Sequence, residues 1–147
     1  MSTVYVSTAA ELPFEKMANL CEGAEFSTNS FEGVISEYVY EWPAFTLHVN
    51  ISRLNEISVH IEELIGYLFN IQKSVGGNLD EQLLERFRET KLVLGFWSSP
   101  DTEGGSDLLH DALGTIAYNT KSLIFWEGKV YDENASLLFP QKENTLY

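Results

Sequence analysis

The chain has 147 residues, 44% of them hydrophobic and 21% charged, with three Trp, seven Tyr and nine Phe; that is enough material for one domain with a continuous core, it is short for two, and it excludes wholesale disorder. Its 22 acidic residues outnumber nine Lys and Arg, leaving a formal charge of −13, a field that repels nucleic-acid phosphates and anionic lipid surfaces. No stretch reaches the roughly 18 consecutive apolar residues of a membrane helix, and the opening MSTVYVSTAAELPF has neither the basic segment nor the apolar run of a signal peptide, so a cytoplasmic location is expected.

Cys21 is the only cysteine, which rules out an intrachain disulfide and a thiolate cluster for zinc or iron–sulfur. The charge is unevenly spread. Residues 1–72 hold ten acids against Lys16 and Arg53, a balance of −8 before Gly76-Gly77, so a basic partner is steered toward that half.

In chain order, Thr3–Ser7 reads as a short strand. Pro13 fits the first position of a helix carrying Phe14, Met17, Ala18 and Cys21 at helical spacing and closed by Gly23. A polar connection follows. Gly33–Tyr40 and Phe45–Ile51 read as a hairpin joined through Glu41-Trp42-Pro43-Ala44, Pro43 suiting the turn. In its second strand Phe45, Leu47, Val49 and Ile51 alternate with Thr46, His48 and Asn50, the pattern of a strand with one buried and one wet face.

A helix over Leu54–Gln72 places Leu54, Ile57, Ile61, Leu64, Ile65 and Leu68 on one stripe and ends at Gly76-Gly77. Asn78 is positioned to cap a second helix running to about Thr90, with Leu83, Leu84 and Phe87 inward. Lys91–Trp97 is the next strand, and a polar loop leads to Ser106 as N-cap of a helix whose apolar side is Leu108, Leu109, Ala112, Leu113 and Ile116. Two strands, Ser122–Trp126 and Lys129–Tyr131, flank a tight turn at Glu127-Gly128. Residues 140–147 read as a frayed tail on a single 1–139 domain. This order predicts an α+β fold: an antiparallel sheet with helices mainly on one face, a ferredoxin-like βαββαβ core, and an appended helix and hairpin.

Motifs for chemistry are missing. The loop GFWSSPDTEGGSD lacks the Gly-x-x-x-x-Gly-Lys pattern and any base, and its Asp101, Glu103 and Asp107 repel phosphate. Asp101-x-Glu103 also lacks the EF-hand glycine, and Ala112 stands where the terminal glutamate belongs. His48, His60 and His110 form no metal-ligand pairing, and the wheel turns Asp107, His110 and Asp111 toward water. Ser98 and Ser99 lack the nucleophile elbow, and Cys21 reads as a small core residue. No cofactor and no metal is expected.

Two surfaces remain. Glu56, Val59, Glu63, Tyr67 and Asn70, bordered by His60, lie on the long helix opposite its apolar stripe and suit a basic protein partner; the plainer reading packs Tyr67 beneath the following helix. His48 on the wet strand face, with Trp97 and Trp126 at strand ends, suits instead a small ligand or an enzyme site. The balance favours a non-enzymatic acidic module that binds a basic protein, as inhibitors and immunity or antitoxin proteins do, with no role in nucleic-acid or membrane binding.

Overall fold

A computed structural model of the chain describes residues 2–7, 14–53, 55–99 and 103–140. Among them lie eight strands and four helices: β1 (Ser2–Val6), α1 (Phe14–Ala18), β2 (Glu25–Phe31), β3 (Val34–Trp42), β4 (Phe45–Arg53), α2 (Asn55–Val75), α3 (Glu81–Arg88), β5 (Leu92–Ser99), α4 (Glu103–Thr120), β6 (Leu123–Trp126), β7 (Lys129–Tyr131) and β8 (Leu137–Phe139). The strands make one open sheet in the order β2-β3-β4-β5-β1-β6-β7-β8, and every neighbouring pair is antiparallel. The α+β class is as expected; the ferredoxin-like order is not reproduced. In its place β5 and β6 both run antiparallel to β1 and so parallel to each other, with α4 connecting them across the intervening strand.

Helices cover both faces of the sheet, a correction to the one-sided arrangement expected. The reason is written in the central strands. Val4, Tyr5 and Val6 in β1 and Leu92, Val93 and Leu94 in β5 are buried without alternation, the signature of strands covered on both sides. On one face Tyr5, Val93, Leu123, Val130 and Phe139 pack with Ile57, Ile61, Leu64 and Leu68 of α2 and Leu83, Leu84 and Phe87 of α3. On the other, Val4, Val6, Leu47, Leu94, Phe96 and Ile124 pack with Met17 of α1 and Ala112, Leu113, Ile116 and Ala117 of α4. The Tyr40 hydroxyl ties the second core to α1 by donating to the Met17 carbonyl at 2.5 Å.

Local signals placed most boundaries, and the exceptions have local causes. The stretch read as a polar connection is β2: as the outermost strand it has little apolar surface to bury beyond Phe26, and Glu25, Ser27, Asn29, Ser30 and Phe31 are all exposed. Asp80, not Asn78, caps α3, its Oδ1 accepting from the Leu83 amide at 2.8 Å. Ser106 lies inside α4, which begins at Glu103. The helix carrying Met17 stops at Ala18, leaving Cys21 in the turn beyond it. Leu54 and Pro13 lie outside the described residues, as do 141–147 of the expected tail; Phe139, just before Pro140, is fully buried.

Gly76 and Gly77 both take positive φ, +83° and +100°, so they end α2 in a conformation that side chains resist. Gly77 has a second constraint: a methyl there would sit 2.8 Å from Pro140 Cβ and 3.0 Å from Phe139 Cε2, whereas a methyl on Gly76 meets open space. Gly77→Ala is therefore expected to cost about 2 kcal/mol or more and Gly76→Ala about 1 kcal/mol, read from urea denaturation midpoints. Equal losses would show that the β8 contact does not constrain this turn.

Candidate functional site

The helices on the α2 face pack over β1, β5, β6, β7 and β8, and none of that core's strand residues comes from β2, β3 or β4. Among the described residues, no helix core reaches the β2–β4 part of this face. The β3–β4 register puts Glu37 opposite Asn50, Val39 opposite His48 and Glu41 opposite Thr46, and β2 adds Asn29 opposite Glu37 and Glu25 opposite Glu41. Directly paired residues share a face, so the surface carries Glu25, Glu37 and Glu41. Arg53, the one Lys or Arg in β2 to β5, alternates onto the opposite face, where its guanidinium donates to the Ile35 carbonyl at 2.5 Å.

A chain of side-chain hydrogen bonds crosses four strands here. Asn29 Nδ2 donates to Glu37 Oε1 at 2.7 Å. The Asn50 amide, oriented as its neighbours require, donates to Glu37 Oε2 at 2.6 Å and accepts from Trp97 Nε1 at 2.9 Å. Gly95 lies opposite Asn50 in β5, and Trp97, two residues on along the same face, reaches Asn50 diagonally. His48, directly opposite Trp97, stacks on the indole with ring centroids 3.8 Å apart and planes within 4°. Its Nδ1 lies 3.5 Å from Glu37 Oε2, within ion-pair range, but makes no hydrogen bond. Trp97 remains 37% exposed, so the cluster holds a rigid, partly open aromatic beside a carboxylate.

The expected sites are only partly assembled. His48 and Trp97 are together, but Trp126 lies on the opposite face: it follows Phe125, which shares the α2 face with Val130, and it packs with the α4 core. Among the described residues the two tryptophans therefore lie on different faces of the sheet. Trp126 instead borders a cavity of about 160 Å³ with His110, Leu113, Gly114, Ile124, Tyr131 and Ala135. His110, expected in water with Asp107 and Asp111, is half-buried with its ring edge-on to Trp126 at 4.1 Å; it sits one turn before Leu113 and Gly114, on the flank of the buried stripe. Asp107 and Asp111 are exposed.

The α2 strip divides as well. Val59, Glu63, Tyr67 and Asn70 are exposed, and the Glu56 side chain lies outside what is described. Tyr67 does not slide beneath α3: its ring meets Phe125 edge-on at 6.0 Å. His60 Nε2 is 3.0 Å from the Tyr5 hydroxyl, which ties it to the core. Glu62 pairs with Arg88 at 3.5 Å, leaving Glu63 as the unpaired carboxylate of the outward side among the described residues.

Two other cavities, about 320 Å³ beside Ile61, Glu62, Arg88 and Lys91 and about 140 Å³ beside Asn78, Asp80 and Arg86, include neither His48 nor Trp97. Among the described residues no group of three His, Cys, Asp or Glu is placed to hold a metal, and no helix is long and apolar enough to cross a membrane. Comparison with known protein families, with curated proteins and with solved structures returns no match.

Cys21 packs against the α4-side core, and burial pushes its thiol up to about 11; burial raises Tyr5 and Tyr40 as well. Folding holds the thiol neutral while the unfolded chain ionises near 9.0, so its stabilisation is complete below pH 9 and is lost as pH rises toward 11. Urea midpoints should fall more steeply across that window for the wild type than for Cys21→Ala, and native labelling by a thiol reagent at about pH 8 should be slow. Parallel pH profiles would contradict the burial argument.

Proposed function

We propose that this chain is a non-enzymatic protein-binding module whose uncovered half-sheet holds a basic partner. The observation that supports this most directly is the juxtaposition of Glu25, Glu37 and Glu41 with the half-exposed Trp97, on a sheet face that carries no Lys or Arg among the described residues of β2 to β5. Carboxylates on one face with a fixed aromatic, Glu37 joined to it through Asn50, give a cationic partner both steering and an anchor. The hydrogen-bond chain through Asn50 orients that anchor before any partner arrives, which lowers the ordering cost of association. An inhibitor or immunity-type protein works through such a surface without chemistry of its own. The α2 strip is the weaker carrier, since His60 is bonded to Tyr5 and Glu62 is paired with Arg88, which leaves Glu63 as its unpaired carboxylate among the described residues.

The test compares two charge variants. Removing Glu25, Glu37 and Glu41 together by substitution with Gln should weaken binding of a lysine-rich peptide by about ten-fold at low salt, and raised salt should weaken wild-type binding likewise. Glu62→Gln with Glu63→Gln should leave affinity within about two-fold. A larger loss from the helix pair than from the sheet triple contradicts the assignment.

One observation supports a second reading, a small-ligand site at the Trp126 cavity. Its apolar walls and 160 Å³ volume match what roughly one aromatic ring fills. Gly114 faces open space, with nothing within 4 Å of where a methyl group would stand, so Gly114→Leu should fill the cavity and abolish quenching of Trp126 by phenol. Absence of quenching in the wild type at millimolar phenol removes this reading.

A further inference from the structure

The two edges of the sheet are guarded very differently. At one end β8 has three residues and runs into Pro140. At the other, β2 has seven residues, EFSTNSF, with no Lys, Arg or Pro, the devices that commonly blunt an edge. Among the described residues nothing pairs with its outer side, so alternate residues present backbone N–H and C=O groups there. The register shifts between Asn29 and Ser30, where Ser36 of β3 is passed over, and this leaves Glu25–Asn29 as the regular stretch.

Resting on the proposed basic-partner reading, we infer that this partner binds as an added strand along Glu25–Asn29, presenting an extended segment in which basic and apolar residues alternate. The two faces of β2 dictate that alternation. On one face, Glu25 and Asn29 stand at the edge, and the hydrogen-bond chain that crosses from Trp97 through Asn50 and Glu37 ends at Asn29; a Lys or Arg there meets Glu25 and Glu37. On the other, Phe26 stacks on Tyr38 with centroids 5.8 Å apart and stays half-buried, a shelf for an apolar side chain. A second copy of this chain fits poorly, because it would set Glu25 and Glu37 against their own counterparts at −13 per chain.

The probe is a short synthetic peptide of alternating lysine and valine, measured by calorimetry against two relatives, one N-methylated on the lysines and one on the valines. A strand offers only every second amide to β2, so one methylated form should bind about ten-fold or more weaker than the parent while the other stays within about two-fold. If both methylated forms bind as the parent does, strand addition is overturned while the acidic surface still holds a cation. If both lose affinity equally, the one-sided ladder is overturned. If the parent peptide fails to bind at all, the inference falls; loss of the lysine-rich peptide's charge-dependent binding in the same assay would take the basic-partner reading with it.

Discussion

Two-sided burial of β5, β1 and β6 is the constraint on which the rest of the structure depends. A strand that is apolar on both faces must be central and must have a layer on each side. The chain supplies α2 and α3 for one face and α1 and α4 for the other. Partly exposed ion pairs contribute little beside this: Arg86–Glu133 and Arg88–Glu62, each at 3.5 Å, are worth about 0–1 kcal/mol apiece, whereas truncating one fully buried leucine such as Leu47 or Leu94 removes about 2–5 kcal/mol. The cores decide the fold, and the surface charges are left to decide what meets it.

Because the helical cover on the α2 side follows the apolar strands, it stops where they stop. β2, β3 and β4 turn mainly polar residues toward that side, the buried Val39 being the apolar exception, so little there calls for a helix. Among the described residues the sheet continues there without a helix, and this side carries Glu25, Glu37, Glu41, Asn50, His48 and Trp97. A carboxylate accepting from two asparagines and an indole held by one of them form a surface already ordered by its own hydrogen bonds. Such a surface recognises without rearranging, and its backbone edge at β2 lies beside its charges.

Much of this is legible in the residues. The 3.6-residue stripe of α2 and the Phe45–Ile51 alternation stand in the structure nearly as read, and the two-residue turn at Pro43-Ala44 fixes a register from which Glu37 falls opposite Asn50. What is not legible depends on contacts far apart in sequence. His48 meets Trp97 only because β4 pairs with β5 beyond two intervening helices, and no local pattern specifies that partner. β2 escapes notice because an edge strand has little apolar face to announce it. The separation of Trp97 from Trp126 likewise follows from strand parity around β1, not from either tryptophan's neighbours. The unbroken apolar runs at Val4–Val6 and Leu92–Leu94 are the available sign that helices lie on both faces, and they outweigh the one-sided expectation drawn from element order.

The three indole N–H groups offer a direct test of where recognition occurs, since Trp97 lies on the acidic half-sheet while Trp42 and Trp126 pack with the opposite core. In a two-dimensional nitrogen–proton NMR titration with a lysine-bearing strand peptide, the Trp97 indole signal and the amides of β2 to β4 should shift together while the Trp42 and Trp126 indoles stay in place. Shifts confined to α2, or to Trp126 and α4, would contradict recognition at the half-sheet.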